Sequence, residues 1–154
     1  MGRGSTKEDK SIYQIARENA KLTRASASEA LEFITESRIE KIENGANVHP
    51  EEVLAMAKAY NTPSLCNKYC TEECAIGKKY IPKIEEKDLA SITLEMLNTI
   101  NNLNEEKNRL IEITVDGEIT KDEMKDFNRI KENLDKMSKA IDSLKLWIEE
   151  KMDL

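Results

Sequence analysis

Thr35-Glu36-Ser37-Arg38-Ile39-Glu40-Lys41-Ile42-Glu43-Asn44-Gly45 is the stretch that decides how the chain folds. Ile39 and Ile42 recur at helical spacing among charged and polar neighbours, so a short helix buries one side and leaves the rest wet. Thr35 can accept one of the first free backbone N–H groups. Asn44-Gly45 tolerates the left-handed conformation that ends a helix. Upstream, residues 12–22 place Ile12, Ile15, Ala16 and Leu22 near one face, with Arg17, Glu18 and Lys21 elsewhere. Thr23 then caps a second helix from Arg24 to about Glu32, whose apolar side is Ala27, Ala30 and Leu31, and Phe33 with Ile34 crosses to the next element. Downstream, Pro50 opens a fourth helix to Tyr60, with Val53, Leu54, Ala57 and Tyr60 inward and Glu51 and Glu52 at the positive end of its dipole.

Asn61-Thr62-Pro63 interrupts this pattern, and a cysteine-bearing connector over residues 64–82 ends at Pro82. Beyond it the period changes. Leu89, Met96, Leu103 and Leu110 fall seven apart, with Ile92, Ile100 and Lys107 interleaved. After Asp116-Gly117, Thr120 and Glu123 form a capping box, and Phe127, Ile130, Leu134, Met137, Ile141, Leu144 and Ile148 step by three and four. Two long helices are predicted to return along each other, with seams too long and apolar to stay wet, so they are expected to pair with a second copy as well. The expected organisation is all-α: a polar tail at 1–10, a bundle of short helices at 11–63, the connector at 64–82, and a helical hairpin at 83–154.

Composition supports this and excludes several function classes. Charged residues are 35% and aromatics 5%, a balance that favours helices over a twisted sheet. The net charge of −6 excludes a surface that binds nucleic acid all round, so any DNA contact is local. No apolar run is long enough to span a bilayer. Residues 1–10 lack the apolar middle of a secretory signal, from which a cytoplasmic location is expected. The sequence holds no Gly-rich phosphate loop, no His paired with Cys or Ser, and no paired carboxylates beyond ordinary helical faces, so no catalysis is expected.

Taken together, Leu22-Thr23-Arg24, the 27–31 helix, residues 35–45 and residues 50–60 closely resemble the helix-turn-helix of the Xre/Cro, lambda-repressor-like family. The likeness covers roughly residues 11–60, and its most specific part is Arg38-Ile39-Glu40-Lys41-Ile42-Glu43-Asn44-Gly45. It implies a bacterial or phage transcriptional regulator, most simply a repressor, whose third helix enters the major groove while the second braces the phosphates. By position it implies that Glu36, Ser37, Arg38 and Lys41 face DNA and that Thr35 and Arg24 touch backbone. Arg38 would bond guanine in two-point fashion, Ser37 a base or phosphate, Lys41 a phosphate, and Glu36 a cytosine amino group. The chain departs from the family between Leu22 and Thr35, which holds one residue more than usual and has Phe33 where Gly is common. A turn of different shape is therefore expected. Up to Gly45, cationic and acidic side chains are equal in number, so affinity should require two modules on one duplex, linked through the hairpin. The alternative is an interaction or scaffold protein that uses the same fold and hairpin to bind a protein.

Cys66, Cys70 and Cys74 are spaced four apart, so a continuous helix would carry them on one stripe able to offer three thiolates to zinc or another metal. The other reading makes them small apolar residues that dock the connector, with no cofactor. Some Xre-like regulators carry a stretch similar to residues 65–77. Residues 112–123 also echo a calcium loop, but Thr114 brings no carboxylate and the first ligand is not Asp. The Asp116-Gly117 turn and the Thr120/Glu123 cap account for the same residues.

Overall fold

The computed structural model describes residues 10–152, and among these every regular element is a helix. Apart from Lys10, the expected N-terminal tail lies outside the described residues. The chain divides into two compact units at Lys83/Ile84.

The first unit contains α1 (Ile12–Asn19), α2 (Arg24–Leu31), α3 (Glu36–Glu43), α4 (Pro50–Ala59), α5 (Ser64–Glu72) and α6 (Ala75–Tyr80). Hydroxyl caps start α1, α2 and α3: Thr23 and Thr35, as the sequence implies, and Ser11 besides accept from the backbone N–H of Ser26, Arg38 and Gln14. At α4 the Glu52 carboxylate instead accepts the His49 N–H at 2.9 Å, behind Pro50 at the first helical position. Three helices stop by one device. After α3, Gly45 at φ +93° lets its N–H reach Ile42 O while Ala46 N–H reaches Lys41 O. Lys21 and Asn61, both at positive φ, close α1 and α4 with the same pair of bonds. For this reason α1 ends at Asn19 and not at Leu22.

Ile39 and Ile42 sit fully inside the core with Tyr13, Ala16, Ala27, Leu31, Ile34, Val53, Met56 and Leu65. Leu54, expected inward, is 62% exposed, and Met56 takes the buried position. The stretch expected as a connector is helical, and Leu65, Cys66 and Tyr69 pack on the same core. Gly77 of α6 lies so close to α5 that an added Cβ would meet the Cys70 carbonyl oxygen at 2.0 Å.

Arg17 does not lie on the solvent side. Its Nε and Nη2 donate to the two carboxylate oxygens of Glu43 at 2.6 and 3.1 Å, and Nη1 donates to Leu22 O at 2.7 Å. Both residues are buried, and Arg24 Nε adds a third bond to Glu43 at 2.9 Å. The end of α3 is thereby tied to the end of α1 and the start of α2. The neighbouring Tyr60 hydroxyl is pushed up to about 12, by burial first and then by the Glu43 charge.

The second unit is a hairpin of α7 (Leu89–Thr114) and α8 (Met124–Met152). Asp88 caps α7. At the other end Glu123 accepts from the Thr120 N–H at 3.0 Å and from its hydroxyl at 2.7 Å, so only the carboxylate half of the expected box forms and α8 begins at Met124. The α7 seam against α8 runs Ile92, Met96, Thr99, Leu103, Glu106, Leu110 and Ile113, alternating steps of four and three. The α8 seam centres on Ile130, Asn133, Met137, Ala140 and Leu144. Met96, Leu103, Leu110, Ile130, Met137 and Leu144 therefore lie where expected, whereas Leu89, Ile100, Lys107, Leu134 and Ile141 are exposed. Thr99 fills the seam in place of Ile100 because its hydroxyl donates to Glu95 O at 2.6 Å and carries no unmet bond inward. Glu106 is satisfied by Arg129 at 2.6 Å and Asn133 at 2.8 Å.

Removing Arg17 leaves the buried Glu43 carboxylate with Arg24 as its one charged partner, at a cost of up to about 3–5 kcal/mol, the range for stranding a buried charge. Arg17→Ala should therefore weaken native-state hydrogen-exchange protection of α1–α4 by about that amount. The double change Arg17→Met with Glu43→Leu should recover most of the loss, since no charge is then left buried. Equal loss in both variants would show that the pair acts through shape and not charge.

Candidate nucleic-acid interface

The surface of α3 is set by two inward anchors and one cap. With Ile39 and Ile42 inside, Ser37 and Lys41 stand on the opposite side of the helix, one turn apart and both exposed, with Asn44 a further turn along. Glu36 and Glu40 are exposed beside them. Ser37 and Lys41 are thus exposed as expected, and Asn44, expected only as a stop, joins that stripe. Thr35 spends its hydroxyl on the cap, accepting from Arg38 N at 3.2 Å.

The arginines are placed differently from expectation. Arg38 does not offer a free fork to solvent: Nε and Nη2 donate to the two Glu52 oxygens, each at 2.7 Å, and Nη2 also donates to Asn47 O at 2.8 Å. Its position is a quarter-turn from the outward stripe, toward the start of α4. Each partner stabilises the other's charge. The Arg38 guanidinium, helped by the His49 N–H, holds the Glu52 carboxyl below its ordinary range despite partial burial. Arg24 is likewise engaged by Glu43 and, at 3.4 Å, by Glu40. Nothing local in the sequence announces these contacts. A signal is nevertheless present, since Glu52 stands at the third helical position behind Pro50, where a carboxylate turns back toward the helix start.

The turn between α2 and α3 has a definite form. Glu32 takes φ 56°, ψ −51°, and Phe33 N–H donates to Leu31 O at 2.6 Å, a tight three-residue turn of the strained, positive-φ kind. Ile34 drops into the core, held by Ser28 Oγ on its carbonyl at 2.9 Å, while Phe33 is left 64% exposed. This turn is complete before Thr35, so the α3 cap is undisturbed.

The cysteines do not form the expected stripe. Cys66 and Cys70 lie on α5, but that helix ends at Glu72 and Cys74 is the N-cap of α6, its sulfur accepting the Gly77 N–H at 3.4 Å. All three are half-buried thiols. Burial, followed by the neighbouring Cys74, pushes the Cys70 thiol up. Among the described residues no three His, Cys, Asp or Glu side chains converge as metal ligands. The continuous helix assumed for the three-thiolate site is broken where α5 turns into α6.

Residues 14–65 match a family model described as a helix-turn-helix domain, spanning most of α1 through the start of α5. No match was found among curated proteins, nor among solved structures. No described helix is long and apolar enough to cross a membrane.

Because the Glu52 carboxyl is lowered in the folded chain, its contribution is present above the unfolded carboxylate range and is lost as pH falls through the folded value. Between pH 7 and about 3, exchange protection at the α3–α4 junction should fall in the wild type. Glu52→Gln should begin lower and show a flatter pH response. Parallel profiles for the two proteins would contradict the assignment.

Proposed function

We propose that the chain is a sequence-specific DNA-binding transcriptional regulator, most simply a repressor, acting by occupancy without catalysis and with two or more copies on one duplex. The observation that carries this reading is the Thr35-capped, exposed α3, held by Ile39 and Ile42 within a segment matching a helix-turn-helix domain. The wide major groove admits such a helix, led by its first turns. In this reading Ser37 and Lys41 meet the duplex directly, Ser37 at a base or phosphate and Lys41 at a phosphate, while Glu36 accepts from a cytosine amino group. Thr35 and the α2 start at Arg24 lie at the backbone. Arg38 acts first as a brace that fixes the pitch of α3 against α4, and its Nη1 edge is left to reach a guanine. Bracing and reading are compatible, since a locked donor loses less entropy on binding.

Local charge explains the need for more than one copy. Glu36 and Glu40 flank Lys41, and both Arg24 and Arg38 already face carboxylates, so one module has little net field for phosphates. Those same carboxylates favour a second reading, in which α3 meets a basic protein surface.

A shift assay with duplexes selected from a random pool separates the two. Lys41→Ala should weaken binding to every sequence and lower the steepness of the salt dependence by about one ion, while Ser37→Ala should relax preference at one base position. Failure to enrich any sequence, with equal retention of wild type and both variants, would favour the protein partner.

A further inference from the structure

The hairpin has two unlike faces. On one, Arg109–Asp126 at 2.8 Å and Arg129–Glu106 at 2.6 Å bridge α7 to α8, and Glu95 and Asn98 of α7 share a hollow of about 340 Å³ with Lys136 and Lys139 of α8. Going round each helix from the seam in the other direction, a quarter-turn brings up Leu89, Ile100, Lys107 and Ile111 on α7 and Phe127, Leu134 and Ile141 on α8. Because α7 and α8 run antiparallel and share their polar side, these two stripes share the opposite side. Ile100 is 45% exposed, Ile111 56% and Leu134 48%. The stripe runs the length of the hairpin with Lys107 as its one charged member, and no ion pair crosses it among the described residues.

We infer that this face seats the same face of a second copy of the chain, closing two hairpins into a four-helix bundle. Three features point to a copy and not to an unlike partner. The α8 stripe repeats every seven residues, the spacing that a long helix presents to another long helix, and α7 and α8 have the required length. Its flanks mix both signs, with Lys131, Asp135, Asp142 and Lys145 on α8, so two identical faces meet with no uniform like-charge barrier. The area also suffices: helices of 26 and 29 residues give a face about 40 Å long and about 20 Å wide, near the roughly 800 Å² per partner of a stable interface. This inference supplies the pairing that the DNA reading calls for, but it is tested without DNA, so either can fail alone.

Sedimentation equilibrium of the full chain should give twice the 17.6 kDa chain mass at concentrations on the order of 100 μM. Leu134→Asp with Ile141→Asp should sediment as a single chain, and the milder Ile100→Gln should weaken pairing at least tenfold. Leu94→Asp, at a site equally apolar and 68% exposed but on the other side of α7, should stay paired. A wild type that remains a single chain, a Leu134/Ile141 variant that remains paired, or a Leu94 variant that dissociates would each overturn the inference. If the double substitution lowers helicity, the wild-type mass and the contrast between Ile100→Gln and Leu94→Asp decide the matter.

Discussion

The Glu43 carboxylate is buried between two guanidinium groups, and the placement of the exposed helix depends on that contact. Arg17 grips both its oxygens from α1 and Arg24 adds a third bond from the start of α2, so three helices meet at one charge. Desolvating such a cluster is costly, and a fully bonded geometry is what makes it tolerable. In return it fixes direction, which greasy contacts alone do poorly. Ile39 and Ile42 could slide or roll a little within an apolar core, whereas a two-point guanidinium–carboxylate bond has one good arrangement. Arg38 with Glu52 does the same at the other flank of α3, against α4. The outward line of Ser37 and Lys41 is thus held from both sides.

This arrangement also explains how an acidic chain can carry a helix suited to nucleic acid. The arginines nearest α3 are committed to bracing it, and the surface left over is nearly neutral. In the proposed reading affinity comes from duplication, and the second unit has the character for it: a hairpin whose polar side is laced by ion pairs and whose other side is mostly apolar. Duplication also matches the symmetry that paired half-sites on a duplex require.

What could be read from the sequence was local. Thr23 and Thr35 as caps, Gly45 as a stop and Pro50 as a start each depend on a few neighbouring residues, and each appears in the fold. What could not be read depended on partners far along the chain. Arg17 looks like a solvent residue until Glu43, twenty-six positions later, is brought beside it. Part of the hairpin seam departs from expectation for a related reason. The pattern contained two apolar stripes at once, and Ile100 outscored Thr99 on hydrophobicity although Thr99 is the one buried. The cysteine stripe failed because spacing alone cannot reveal that a helix stops between Cys70 and Cys74.

The most direct measurement is an amide NMR titration of the full chain with a duplex enriched from a random pool. The account predicts the largest shifts at Ser37, Lys41 and Asn44 and at the start of α2, with α7 and α8 nearly unmoved. Shifts concentrated on the hairpin, or on the surface around Phe33, with residues 35–44 unchanged, would contradict it.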